Sequence, residues 1–421
     1  MTRRSAIAIV TAAAIVPRLL LLVEERHDLL AGLTEKSDRF ARTLVASGTY
    51  GYIPGRPSAN TQPLYGLFLS GLYWVAGRNW LSIGIAQTAL AAATALLVYA
   101  IGAHIASRRV GVVAAVISTL HPYLVWHDIH VNREVLDGTL AAALTLAVLV
   151  AAERRTLRMV SMAGVIAGLA VLANSRLLLL PLVLAVFVAW DFRPARRAAL
   201  AAAVLVGVAA LVTVPWLARN QASVGCFTLT TDSRALWKAN NLATYDILAA
   251  GKWIDQVPNL PGAPPWPELA ADITERTGRV VTVDECAQMR QYQHEVTRFW
   301  REHPGEKAKL SAQAVRMLWS PVATVESDTP ETGIGGFARR FVEPAFAIAL
   351  YALALLGLAR LPRRFLVLTL LLLGYGTLTA MVFAGTVRYR VPWDFLLCIP
   401  AALALTHLWD GARKQGRGAA Q

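Results

Sequence analysis

The chain has 421 residues, of which 56% are hydrophobic and only 16% charged, and its mean hydropathy is +0.46. Apolar runs recur from end to end, each bounded by arginines, and about 17 to 25 such residues cross the hydrocarbon core of a bilayer; this excludes a set of water-soluble domains. The net charge of +14 is spread over short loops with no basic domain, which excludes nucleic acid as a partner.

In chain order, the first run (Ser5 to Val23) contains Arg18 and lacks an A-x-A-like cleavage site, so it reads as an uncleaved span. Further spans are expected at 79–104, 110–126, 134–152, 159–173, 177–190, 198–217, 341–359, 365–385 and 391–409. The pair 159–190 is divided by "NSR" (174–176) and reads as two short tilted helices meeting at the outer surface or as a partly re-entrant pair. With the N-terminus inside, the six inner pieces hold 16 Lys and Arg against three acids, Glu153, Asp191 and Asp410. The remaining segments, Arg18 apart, are balanced at 24 against 24. That is the positive-inside pattern, and it predicts a multi-pass protein of the plasma (inner) membrane with both termini cytoplasmic. Eight of the twelve tryptophans, Trp74, Trp80, Trp126, Trp190, Trp216, Trp319, Trp393 and Trp409, fall near expected span ends, as an interfacial belt requires.

Two segments lie outside. In the first outer loop (24–78), Phe40, Ala41, Leu44 and Val45 recur at helical spacing. That apolar face is expected on the membrane, with Asp38, Arg39 and Arg42 on the other side. "SGTYGYIPGRPSANTQP" breaks the helix with Gly and Pro, and "LYGLFLSGLYWVAG" reads as a second amphipathic or re-entrant helix in the interface. The second outer segment (218–340) is the one polar tract long enough for a folded lobe. Its Thr-rich start reads as short strands or turns, "VPNLPGAPPWPE" as a linker, and the stretch around "HPG" as two helices. The chain thus divides into a membrane module (1–217), an extracytoplasmic lobe (218–340) and C-terminal spans (341–421). Cys226 and Cys286 both lie in the lobe, and their spacing leaves a disulfide between them open; Cys398 stands apart.

Asp38 followed by "A..L...G.Y" and "PLY..FL..LY...G" resembles the bacterial polyprenyl-phosphate-sugar-dependent glycosyltransferases of the GT-C fold class, which include protein O-mannosyltransferases and lipid A aminoarabinose transferases. In the same order, "HPYLVWHDIHVNREVL", "PWLARNQASVG", "LWKANN", "FWREHPGEKAKLSAQAVRMLWSP" and "VRYRVPWDFLL" resemble later segments of that family. The resemblance implies an all-α GT-C-like membrane protein of about ten transmembrane helices. It implies an inverting hexosyl or pentosyl transfer from a polyprenyl-phosphate sugar to a lipid, polysaccharide or protein acceptor at the outer face. A transporter or flippase of lipid-linked sugars, and a non-catalytic scaffold, are the rival classes.

Such a transfer needs a base for the acceptor hydroxyl and donors for the leaving phosphate. The resemblance points to Asp38 as the base, against the plain reading of an i,i+4 pair with Arg42. Glu24, Glu25, Asp28 and Glu35 read as solvated charges. Glu134 is a second site acid by the same resemblance, or an acid placed at a helix N-terminus by the helix dipole. The family has Ser or Thr before that acid where this chain has Arg133. Arg388, Tyr389 and Arg390 stand on the outer side against the charge bias, and an arginine fork suits phosphate oxygens. Arg176 and Arg219 are further candidates for the carrier phosphate. Asn240, Asn241 and Asp128 are candidates for the substrate, although asparagines also serve in turns. Tyr50, Tyr52 and Tyr65 read as interface anchors more than as stacking platforms. His127, Asp128 and His130 are residue types that ligate a divalent cation, but no metal is assigned. Arg18, inside the first span, is expected to snorkel or to pair with a buried acid such as Asp394.

Overall fold

The computed structural model describes residues 1–31, 34–322 and 333–418. The fold is all-helical: the described residues contain no strand, only isolated bridges between Thr34 and Val131 and between Ile53 and Arg56. The membrane module begins with α1 (Arg3–Glu24), α2 (Lys36–Ser47), α3 (Pro63–Ala76) and α4 (Trp80–Ile105). It continues with α5 (Arg108–Thr119), α6 (Pro122–His127), α7 (Glu134–Arg154), α8 (Leu157–Ala173), α9 (Leu180–Asp191) and α10 (Ala195–Val224). The lobe carries α11 (Arg234–Lys238), α12 (Thr244–Ala249), α13 (Pro267–Thr277), α14 (Glu285–Glu302) and α15 (Pro304–Leu318). After it come α16 (Gly333–Phe337), α17 (Glu343–Leu358), α18 (Arg363–Val382), α19 (Val387–Arg390) and α20 (Phe395–Gly418).

Among the described residues, seven helices are long and apolar enough to cross a membrane. Three further expected spans are shorter. The 110–126 stretch breaks into α5 and α6, because Pro122 starts a new helix and cannot continue the old one. The "NSR" stretch forms a 3-10 turn at Ser175–Leu177 between α8 and α9, so those are two helices.

Local chemistry sets the helix starts. The side chains of Asn79, Ser107, Thr156 and Asp284 accept from the backbone N–H three residues on, each satisfying an otherwise orphaned donor. Small residues set the packing between helices. A Cβ on Gly164 or Gly168 would meet the backbone carbonyls of Leu205 or Ala209 on α10 at 2.8 Å, so α8 and α10 touch through their backbones. Such close approach replaces the hydrophobic effect as the driving force where lipid surrounds the bundle.

The loop between α1 and α4, expected outside the membrane, is folded into the protein. Phe40 and Ala41 are fully buried, and Phe40 packs edge-on against Tyr50 and Tyr52. The expected membrane-facing side of α2 is therefore an internal face, and Asp38, expected on the polar side, is 2% exposed. The polar side of α2 docks on the lobe instead. Lys36 pairs with Asp232, and Arg39 with Asp272 and Glu275 at 2.6 Å each. Glu285 accepts from the Ala59 N–H and the Thr231 hydroxyl. Within the lobe, Cys226 and Cys286 form a disulfide between the end of α10 and the start of α14, and the Thr-rich stretch forms turns.

Candidate active site

Three segments distant in sequence meet at one end of the bundle: the start of α2, the start of α7, and α19. The residue before α2, Glu35, donates its N–H to the Val131 carbonyl, which fixes the loop onto the link between α6 and α7. That link places Glu134 at the first position of α7. Opposite, the Thr386 hydroxyl caps α19 by accepting from the Arg388 N–H at 3.1 Å. The Arg388 guanidinium donates through Nε to Glu134 and through Nη2 to Glu35. Side-chain exposure is 15% for Arg388, 16% for Glu35 and 3% for Glu134. Burial raises the pKa of Glu35 above the usual carboxylate range, and Arg388 beside it opposes that rise. The other oxygen of Glu134, Oε2, is buried without a hydrogen-bond partner.

A second layer surrounds this trio. Arg133 donates to Gln62 at 2.8 Å and lies 3.5 Å from Asp137, which accepts from Asn174 at 3.1 Å. The Arg176 guanidinium lies 3.3 Å from the Tyr389 ring centroid, a cation–π contact, and the Tyr375 hydroxyl donates to the Arg176 carbonyl. Burial lowers the Arg176 pKa, as expected for a cation taken out of water. Tyr65 donates to Gln87, which in turn donates to the carbonyls of Asp128 and His130, so Tyr65 belongs to a buried scaffold. A cavity of about 570 Å³, lined by none of the trio, lies between the C-terminal end of α1, α6 and residues 335–343. Leu21, Leu120, Val125 and Trp126 supply apolar walls, with His127 and Arg339 among its polar groups. Burial, then the nearby Arg388 charge, holds the His127 pKa well below its usual value, so that ring is neutral.

The sequence candidates divide accordingly. Arg388, Glu134, Tyr389 and Arg176 come together. Asp38 lies one turn along α2 from Glu35, held by Tyr73 at 2.6 Å, Arg78 at 2.8 Å and Arg42 at 3.1 Å. Arg390 turns away from the trio to Asp394 and to the carbonyls of Leu318 and Ser320 at the end of α15. Arg219 donates to the carbonyls of Ser58 and Tyr50, holding the first loop. Asn240 is consumed by Trp300, Lys307 and the carbonyls of Leu236 and Val382, and Asn241 by its own turn. Tyr50 and Tyr52 are buried, donating to the Gln62 and Pro63 carbonyls and to Asn60.

Asp128 is the partner of Arg18 at 2.6 Å, so Arg18 pairs with Asp128 and not with Asp394, which Arg390 already neutralises. Among the described residues no group of three or more His, Cys, Asp and Glu is arranged to hold a metal ion. Of the site residues, sequence reasoning missed Glu35. It read as one of four solvated acids, and it is built into the trio.

The architecture is GT-C-like, a nearly all-helical membrane fold. It superposes on the archaeal oligosaccharyltransferase AglB from Archaeoglobus fulgidus, solved with an inhibitory peptide and a dolichol-phosphate. The TM-score is 0.56 at 15% identity, over 99% of this chain and 51% of that one, so the chain spans about half the AglB length. ArnT from Cupriavidus metallidurans aligns over 98% of this chain and 80% of its own in its undecaprenyl phosphate complex, at 16% identity and a TM-score of 0.46. In its apo state it aligns over 93% and 76%, at 15% identity and a TM-score of 0.39. Within the chain, residues 57–218 match the family model described as dolichyl-phosphate-mannose-protein mannosyltransferase, in line with the resemblance its motifs carry. A search among curated proteins finds no sequence match.

Proposed function

We propose that this protein transfers a monosaccharide from a polyprenyl-phosphate carrier to an acceptor at the outer face of the membrane, with inversion at the anomeric carbon. The observation that carries this reading is the Arg388 guanidinium held between Glu35 and Glu134, with Arg176 stacked on the adjoining Tyr389. In a single displacement the acceptor hydroxyl oxygen attacks the anomeric carbon. The bond from that carbon to the carrier phosphate breaks, and its electron pair leaves on the phosphate. Arginine forks match phosphate oxygens as well as they match carboxylates. An arriving carrier phosphate therefore competes for Arg388 and releases Glu35 to take the hydroxyl proton.

Glu35 suits the role of base better than Asp38. Burial raises its proton affinity, whereas three donors already occupy Asp38. Asp38 becomes a positioning residue, fixing the helix that begins beside Glu35. Glu134, the more deeply buried acid, orients Arg388. The 570 Å³ cavity offers apolar walls for part of the polyprenyl tail.

The lobe disulfide supports an extracytoplasmic lobe, because disulfides persist in oxidising compartments. The arginine-rich inner loops support the same orientation. A transporter would gather its polar groups at the midplane of the membrane, whereas here they gather at one end of the bundle. Membrane vesicles carrying wild type or Glu35→Gln, supplied with labelled polyprenyl-phosphate sugars, test the reading. Transfer by wild type and its loss in the variant are expected. No transfer from any donor by wild type would favour a scaffold.

A further inference from the structure

A second cleft, of about 530 Å³, lies in the lobe and plays no part in the chemistry above. Its walls include Trp237 on α11, Asn259 in the proline-rich loop, and Gln291, Glu295, Arg298 and Phe299 on α14. Its volume falls within the about 300–1,000 Å³ usual for small-molecule sites. Phe299 is buried, and Trp237 is tied to the loop by its indole N–H, which donates to the Pro258 carbonyl at 3.3 Å. Asn259 and Gln291 are exposed amides. Arg298 is matched by Glu295 at 2.5 Å and faces Glu302 at 3.9 Å, so an anionic ligand would meet two carboxylates beside one guanidinium.

We propose that this cleft binds a short neutral saccharide, the acceptor end of a glycan, an inference that rests on the transfer reaction proposed above. Sugar rings have apolar faces that pack on aromatic side chains, and hydroxyls that both donate to and accept from amides and ion pairs. The cleft offers these groups together. An extended peptide is disfavoured because, among the described residues, the lobe has no strand edge to which it could add. The cleft also adjoins the structure that holds Arg388. Asn241 lines it, and the preceding Asn240 bonds to the carbonyl of Val382, the last residue of α18 before the loop to α19.

The test uses the full chain in lipid nanodiscs and reads saturation-transfer NMR. The probes are neutral tetrasaccharides of β-1,3-glucan, α-1,4-glucan, α-1,6-mannan and chitin, with an uncharged tetrapeptide as comparison. Wild type is expected to bind at least one saccharide. Gln291→Ala and Asn259→Ala, exposed positions that do not threaten folding, are each expected to weaken binding about tenfold through a lost hydrogen bond, and Trp237→Phe more. Glu35→Gln is expected to bind as wild type does. Binding of no saccharide, binding indifferent to all three cleft variants, or binding of the peptide instead would overturn the proposal. Saccharide binding that the cleft variants weaken, with no sugar transfer from any donor, would leave the cleft standing and remove the reaction.

Discussion

Arg388 donates to Glu35 across 353 residues of chain, and the same guanidinium holds Glu134 at the start of α7. One fork thus joins the loop after α1, the central bundle and the C-terminal spans. Lysine keeps the charge and loses the fork. Arg388→Lys is therefore expected to lower transfer about 100-fold, the scale of removing one donor to a developing oxyanion. Transfer rates in proteoliposomes check this, and a rate within a few-fold of wild type would remove Arg388 from the phosphate.

The pH profile follows from Glu35. Its folded pKa is raised by burial, so Glu35, as the proposed base, ionises at higher pH than a solvated glutamate. The rising acid limb of transfer is expected above the usual carboxylate range. Arg388 favours the ionised form, so Arg388→Ala is expected to move that limb further up. For stability the sign runs the same way. A carboxyl whose folded pKa lies above its unfolded value binds more protons when folded, so its contribution to stability falls as pH rises through that window. Glu35→Gln is expected to flatten that part of the stability curve, measured by thermal melting from pH 4 to 8.

How much of this was legible in the sequence depended on range. The spans were readable because apolar run length and arginine placement are local. The break at Pro122 was equally local, but a continuous apolar run masked it. Arg388 stood out as a charge placed against the positive-inside rule, and Glu134 through the resemblance of its segment. Glu35 did not, because nothing near it in sequence separates it from Glu24, Glu25 or Asp28; its environment is made by α7 and α19. The exposed placement expected for Asp38 failed for the converse reason. Its helix shows an amphipathic pattern, and an amphipathic face looks alike whether it meets lipid or protein. Arg390 resembles Arg388 two residues away, yet only Arg390 meets the carbonyls at the end of α15, a partner set by tertiary packing.

Asp38 and its donors give a prediction that separates support from catalysis. Asp38→Asn leaves Arg42 and Arg78 less well matched. Those arginines are 54% and 27% exposed, so the cost is expected near 2 kcal/mol, below the about 3–5 kcal/mol for breaking a fully buried pair. The melting temperature is expected to fall, while transfer per folded molecule drops less than in Glu35→Gln. A fully folded Asp38→Asn with no transfer would return the base to Asp38.

The disulfide closes a loop spanning 60 residues, for which loop-closure entropy gives about 4 kcal/mol of stabilisation. Cys226→Ser is expected to lower lobe stability on that scale and to raise the rate at which protease cuts residues 227–285. Thiol counting supplies a separate check. Without reductant the denatured protein should label at Cys398 alone, and with reductant at all three cysteines.

Inside the bundle, Arg18 and Asp128 form a pair that is almost wholly buried, at 1% and 4% side-chain exposure. Arg18 also donates to the Ala14 carbonyl and to the carbonyl and hydroxyl of Thr119, so its guanidinium is well supplied with acceptors. Asp128 depends on Arg18, and its Oδ1 is buried without a hydrogen-bond partner. Arg18→Met would therefore strand a buried carboxylate, and about 3–5 kcal/mol of stability is expected to go with it. Replacing both partners, as Arg18→Met with Asp128→Leu, removes the charge that would be stranded and is expected to recover most of that loss, since apolar groups of similar volume often serve as well as a buried ion pair. A double-mutant cycle on detergent-solubilised protein, read by thermal melting, distinguishes the outcomes. If the double variant is as unstable as Arg18→Met, the pair does more than neutralise itself, and Asp128 must be contributing through the link that carries His130, Val131 and Glu134.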